Sequence, residues 1–536
     1  MKSTLNLVTV VLLASSLVAC SGDDDDSGSS SGGSGGGTPT DDDPGDRIPS
    51  REGLPEPTIS TEDTVTTPLL APTSDDFFFT QLEIDPEPAT PGGPPTTPKN
   101  LRIDLVSNDW AEFSWAPAND DGEVVAYLVQ RSDGHVYTVR NETRTDVSAG
   151  TQRAIDRYWR TTSFIDCNYT RFTNVVHDCT SQRPSAGDTF MYTVTAVDDE
   201  GQESPPSNPI TVHYHESVGA PVAAIVDPYL GETKFALEND VTNTAYFLDK
   251  FTLMFEDEFD GDSIDENLWN TELVWGDTRI INGEQQYFVS TQRDDALAQG
   301  YNPFRFNGST MTIEANPTPT ALEAELPAIC SEEDPRGFPR CTFLSGALST
   351  HDKLHLTYGY VESRMRVSGK SGALSSFYIQ SRYPGQGRDY HAPEIDILEY
   401  LGENPFGDED AFQNYHFDDS AALVESGDRI TRRSPTMAYE KPEGDLYSDD
   451  FHTYGVLWEP QLVIWYIDGK EVRRLSGVQV GRRAMNIVMY LVAGSGWAPT
   501  PDVDDPDLFP IELEIDWVRA WQRGNYTTNG LYPERD

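Results

Sequence analysis

The sequence predicts an all-β protein built from two strand-rich blocks, and two observations predict it. Residues 97–214 break into short alternating runs, "AEFSWAP", "VVAYLVQR", "TSFID" and "MYTVTAVD", separated by the turn texts "NDDGE" and "DDEGQ". From Lys250 to Gln522 the text is again strand-rich, with glycine turns such as "YIDGKE" and almost no helical periodicity. Four of the five cysteines form two local pairs, Cys167 with Cys179 and Cys330 with Cys341, which read as disulfides of an exported chain. Neither pair has the C-x-x-C or histidine spacing of a zinc site, so zinc is not expected. With 536 residues, 37% hydrophobic and 11% aromatic, the chain is too long for one core and apolar enough for more than one.

Taken in order, residues 1–19 read as an export signal: Lys2, an apolar run from Leu5 to Leu13, then small residues up to Cys20. The ending "LVAC" resembles the lipobox of bacterial lipoproteins. That resemblance implies that Cys20 becomes the lipid-modified first residue and, with Ser21 following it, that the chain is anchored to the outer membrane by lipid alone. An ordinary signal peptide with a chance cysteine is the alternative. Residues 20–96, opening "SGDDDDSGSSSGGSGGG", hold too little apolar surface to offset the entropy of ordering and read as a flexible tether.

Within residues 97–214 Trp115 is the expected buried aromatic, and Tyr192, Val194 and Ala196 share one strand face. The runs "FSWAPANDDGEVVAYLVQR" and "YTVTAVDDEGQESPPSNP" resemble a fibronectin type III domain, which implies an immunoglobulin-like β-sandwich whose insertion "CNYTRFTNVVHDC" is stapled by its disulfide. Such a module is expected to act as a spacer. Residues 215–249 read as a linker, 250–524 as the block that carries the chemistry, and 525–536 as a tail.

The chemistry is expected in "HAPEIDILEYLG", residues 391–402. On a regular strand Glu394 and Asp396 share one face while Ile395 and Ile397 share the other. Strict alternation would then put Leu398 beside the acids, yet the next acid is Glu399 and the next apolar residue Tyr400. Both series slip at the same place, which predicts a β-bulge at Ile397 or Leu398 that returns Glu399 to the acidic face and Tyr400 to the core. Three carboxylates in a row repel one another, and folding alone does not favour them. Paired acids are what glycoside hydrolysis requires, one to attack or activate water and one to protonate the leaving oxygen. Backbones roughly 12 to 13 Å apart let long glutamates bring their carboxyls to roughly 5 to 6 Å, the spacing of a retaining route. Asp396 between them is placed to hold their pKa values apart. A calcium site or a solvated strand face is the alternative.

"EIDILEY" is similar to the E-x-D-x-x-E signature of glycoside hydrolase family 16, in the bulged branch that includes laminarinases, agarases and carrageenases. The likeness continues in order through "FEDEFDGDSIDENLWN", "NGEQQY", "SGALST", "YGYVESRMRV", "NYHF", "DFHTYGVLWEP", "IWYIDGK", "GSGWAPTPD" and "LEIDWVRAW". The resemblance implies a concanavalin-like β-jelly roll with a cleft over one sheet, Glu394 as nucleophile, Asp396 as assisting acid and Glu399 as general acid/base. It also implies sugar contacts from Asn282, His416 and Trp497, each with a plain structural alternative: a turn, a satisfied core histidine, packing. Trp269, Trp458, Trp465 and Trp517 read as core. No cofactor is implied for catalysis, but a structural calcium is, in the region of Glu258 and Asp516, where ordinary surface acids would look the same.

One departure bears on substrate. Many laminarinases carry a W-P-A-x-W run in the strand before the catalytic one, whereas "GALSSFYIQ" puts Leu374 and Tyr378 at those two positions. Tyr378 is therefore a candidate sugar contact of a different shape. The "GSGWAPTPD" ending and the formal net charge of −51 favour a neutral β-1,3-glucan over a sulfated galactan, with an agarase, porphyranase or carrageenase type, or a non-catalytic carbohydrate-binding surface protein, as alternatives. The same charge excludes nucleic acid as a partner and docking on anionic lipid through a basic patch. The expected partner is a polysaccharide, and the protein is expected to be a monomer.

Overall fold

The computed structural model describes residues 87–108, 110–140, 162–166, 183–215, 251–381, 393–403, 410–418, 431–433, 437–440, 446–459, 462–468, 470–477, 479–481 and 484–523. The expected signal, the tether up to residue 86, the linker from residue 216, the tail, and Cys20, Cys167 and Cys179 lie outside the described residues. Among the described residues no helix is long and apolar enough to cross a membrane.

The first unit is a small pair of sheets. Lys99–Val106, Ala111–Ala116 and Ser163–Asp166 pair in one, and Val124–Arg131, Val136–Arg140, Thr189–Asp198 and Ile210–His213 in the other. Alternation drives it: Tyr192, Val194 and Ala196 are fully buried and pack with Phe113, Trp115, Tyr127 and Val212 in a separate core.

The second block is an all-β, jelly-roll-like sandwich. A seven-stranded sheet orders Ala347–Ser349, Asn486–Ala493, Ala373–Gln380, Glu394–Leu401, Asp410–Asp418 and Thr431–Arg433, with Met437–Glu440 also paired to Asp410–Asp418. A larger sheet, centred on Lys470–Ser476, Leu462–Ile467, His452–Glu459, Gly359–Arg366 and Ile511–Arg523, packs against it. Side chains from both sheets fill one core: Ile395, Ile397, Leu398 and Tyr400 from the first meet Val456, Trp458, Val463, Trp465 and Val518 from the second. Trp269, Trp458, Trp465 and Trp517 are all buried. The helical content is slight. The five-residue helix Ala296–Gly300 is capped by Asp295, whose carboxylate accepts from the Ala298 N–H, and of two short 3-10 turns, Thr320–Glu325 and Ala328–Ser331, the second carries Cys330 of the bonded pair Cys330–Cys341.

The two units share a backbone contact. Val106 bridges to Ser476, the Gln479 N–H donates to the Asp104 carbonyl at 3.1 Å, and Ser107 Oγ donates to the Arg474 carbonyl at 3.2 Å. His215 Nε2 lies 2.9 Å from Ser476 Oγ, and burial, helped by the Arg474 charge, pushes its imidazole down to about 3. Gly477 permits this approach: its φ is +143°, and a Cβ there would sit 2.2 Å from the Asp104 carbonyl oxygen.

Gly477→Ala is expected to lower unfolding free energy by about 1–3 kcal/mol, read from urea denaturation. His215 adds a pH term. A histidine near 6.5 when unfolded and about 3 when folded contributes stability that is complete above pH 6.5 and lost as pH falls towards 3. His215→Gln should therefore lessen the acid sensitivity of unfolding below pH 6.5.

Candidate active site

The strand Glu394–Leu401 is bulged. Against Ala373–Gln380 its register runs Tyr378↔Asp396 and then Phe377↔Leu398, leaving Ile397 surplus; against Asp410–Asp418 it runs Asp396↔Asn414 and then Glu399↔Phe412. Ile397 and Leu398 thus stand together opposite Gln413, and both are fully buried in the main core. Tyr400 returns to that core, while Glu399 is the partly exposed member of a face that also carries Glu394 and Asp396.

The neighbouring strand supplies their partners. His416 stands opposite Glu394 in the ladder, with Nε2 3.5 Å from Glu394 Oε1 and 3.2 Å from Asp396 Oδ2. Asn414 Nδ2 donates to Glu399 Oε2 at 2.6 Å. On the other side, Ser376 is the ladder partner of Glu399, and its buried hydroxyl has no hydrogen-bond partner among the described residues. The ligand atoms of Glu394, Asp396 and His416 lie within 4.8 Å of one another. That spacing fits a cation, and equally a pair of acids whose charge an imidazole tempers.

Apolar and aromatic side chains surround this row: Tyr378, Leu374, Tyr490, Phe412 and Val488, with Trp497, Phe288 and Trp275 at its partly open margin. Tyr378 meets Tyr490 edge to face at 5.6 Å, and Phe412 meets Trp497 likewise at 5.0 Å. Burial, with the charges of Glu284, Glu399 and Glu394 nearby, holds the Tyr490 phenol well above its usual range, so it remains a neutral O–H. Glu284 is buried; this pushes its carboxyl up to about 8, while the Gln286 Nε2 donor at 3.0 Å and the Arg336 charge pull the other way.

Asn282 lies in a turn at φ +56° tied to the Trp497 loop: its carbonyl accepts from the Gly496 N–H at 2.8 Å, and the Gln285 N–H donates to the Gly494 carbonyl. Glu394, Asp396, Glu399, Tyr378 and His416 are therefore brought together on three adjacent strands, and Asn282 with Trp497 at one margin. Glu258 and Asp516, the acids of the calcium expectation, each meet an arginine. Arg519 Nε donates to Glu258 Oε1 at 2.8 Å and Arg364 Nη1 to Asp516 Oδ2 at 2.5 Å. Sequence reasoning missed Asn414, which the alternation "NYH" places on the face of His416, and missed Glu284 and Tyr490, whose roles depend on burial.

Residues 296–519 match the family model for glycosyl hydrolases family 16. Fold, acid row and match point to one class, the glycoside hydrolases, with residues 296–519 similar to family 16. Among curated relatives, it is similar to Endo-1,3-1,4-beta-glycanase ExsH of Rhizobium meliloti (strain 1021), 27% identical over 274 residues, covering 50% of this chain and 51% of the relative. It is also similar to Glucan endo-1,3-beta-glucosidase A1 of Niallia circulans, 24% identical over 293 residues, covering 50% of this chain and 38% of the relative. The chain spans about half the length of the curated relatives it matches first. Among solved structures, the laminarinase catalytic domain from Thermotoga maritima MSB8 aligns at 24% identity and a TM-score of 0.38, covering 51% of this chain and 98% of that one.

Glu284 gives this site a pH signature. Its carboxyl titrates near 4.5 when unfolded and about 8 when folded, so its contribution to stability is complete below pH 4.5 and lost as pH rises to 8. Glu284→Gln, which keeps the neutral shape, is expected to flatten the fall in unfolding free energy between pH 5 and 8 in a pH series of urea titrations.

Proposed function

We propose that this protein is a retaining endo-hydrolase of a β-linked glucan, most simply a β-1,3-glucan, exported and held at the outer membrane through Cys20. The single observation that carries the reading is the bulged row in which Glu394, Asp396 and Glu399 share one face beside aromatic side chains. The relatives named above, an endo-1,3-1,4-beta-glycanase and a glucan endo-1,3-beta-glucosidase, support the substrate class.

In this reading Glu394 attacks the anomeric carbon while Glu399, held by Asn414, donates its proton to the departing glycosidic oxygen; the C–O bond breaks and a glycosyl ester forms on Glu394. Glu399, now a carboxylate, then takes a proton from water as that water displaces the ester, restoring both groups. Asp396 and His416 shape the charge on Glu394: a second acid within 4.8 Å and an imidazole 3.5 Å away bear on its orientation. Tyr378, Tyr490 and Trp497 offer ring faces to pyranose rings, and Asn282 closes one end. The first unit is read as a fibronectin type III spacer that bears no part of the chemistry.

A galactan is the second reading, favoured by Leu374 and Tyr378 at positions where laminarinases often have tryptophans. Incubating the protein with laminarin, mixed-linkage glucan, agarose, porphyran and carrageenan and assaying new reducing ends separates the two. Laminarin or mixed-linkage glucan should be cut best, and preferential cleavage of a galactan would replace the β-glucan assignment. Glu394→Gln should lower kcat by about a thousandfold or more while retaining oligosaccharide binding by calorimetry. Unchanged cleavage by that variant would remove Glu394 from the chemistry.

A further inference from the structure

The bulge that turns Glu399 towards the other acids is held from the opposite sheet. Trp465, fully buried in Leu462–Ile467, sends its Nε1–H across the core to the carbonyl of Asp396 at 2.8 Å, the last residue before the register slips. Arg473, buried in Lys470–Ser476, donates from Nη1 to the carbonyl of Gln413 at 2.5 Å, the residue that faces the two bulged positions. Trp465 and Arg473 are themselves ladder partners, and the guanidinium lies over the indole with 4.6 Å to the ring centre. Between Trp465 and Tyr466 the larger sheet has its own slip, which leaves Val472 surplus beside Arg473.

Stability alone does not account for this arrangement. A buried guanidinium in a sandwich core loses hydration worth several kcal/mol, and apolar side chains of similar volume are usually no worse for folding. Gln413 adds to the cost: it is fully buried, and both polar atoms of its amide lack hydrogen-bond partners among the described residues. All of this polarity is gathered under one point of the seven-stranded sheet, the point where a bulge interrupts the ladder and leaves its carbonyls to be satisfied from elsewhere.

We propose that Trp465 and Arg473 form a through-core clamp that fixes the bulge, and so sets the approach of Glu399 to the bond that Glu394 attacks. Both are positioning residues, since neither reaches the face that meets substrate. The proposal rests on the catalytic reading of Glu394 and Glu399 given above. Because the clamp acts on the placement of one carboxyl and on no sugar contact, its loss falls on kcat and leaves KM in place. A displacement near 1 Å is enough to cost about a hundredfold.

Trp465→Phe removes the N–H and keeps a ring in the core, and Arg473→Met keeps the aliphatic stem, giving a second variant should the first fail to fold. In either folded variant, kcat on laminarin (or on whichever polysaccharide the wild type cuts) should fall about ten- to a hundredfold with KM within about threefold. Amide exchange at 397–399 should quicken while that of Ile379 and Tyr415 on the flanking strands stays as in the wild type. Arg473→Lys, which still donates to Gln413, should recover part of kcat. Wild-type kcat in a folded Trp465→Phe, or unaltered exchange at 397–399, overturns the clamp. Cleavage by Glu394→Gln overturns the catalytic reading, and the exchange measurement then still reports on the clamp.

Discussion

One surplus residue organises this molecule. Without the slip at Ile397 and Leu398, Leu398 would face the groove and Glu399 the core. Exposing a leucine forgoes about 2 kcal/mol of burial, and burying an unpaired carboxylate costs several kcal/mol more. The regular register is therefore the expensive one for this sequence, and the bulge is its physical solution. The slip puts Glu399 within reach of Asn414, on the face where Glu394 and Asp396 already meet His416 and where Tyr378 and Tyr490 lie alongside.

The seven-stranded sheet does not hold this feature alone. The same strand, Lys470–Ser476, delivers Arg473 to the carbonyl opposite the bulge and, one and three residues later, carries the contacts of Arg474 and Ser476 with the first unit. Bulged strand, core and first unit are thus joined through one strand, by the Arg473 side chain on one side and the backbone of Arg474 and Ser476 on the other. A module expected only to act as a spacer shares a β-bridge with the strand that braces the site.

What could be read in the sequence was whatever depends on neighbours along the chain. Two alternating series broken at one residue reveal a bulge, and a strand such as "MYTVTAVD" shows which face is buried. What could not be read depends on residues that meet only in three dimensions. Trp465 and Asp396 are 69 residues apart, so Trp465 reads as simple core when only its own strand is seen. The partner of Glu258 is Arg519, 261 residues on, and that of Asp516 is Arg364, neither of which the local text around the acid shows. Glu284 looks like any surface acid in "NGEQQY", because its protonation follows from burial, which local text does not encode.

The stereochemistry of the first product tests the central claim most directly. Proton NMR of the anomeric region, recorded within the first minutes of digestion before mutarotation, shows which anomer forms at the new reducing end. The proposed pair of glutamates, set on one face by the bulge, acts by double displacement, so the β-anomer should appear first. The α-anomer appearing first would mean that water attacks directly between more distant carboxyls, and the bulged row would not be the pair described here.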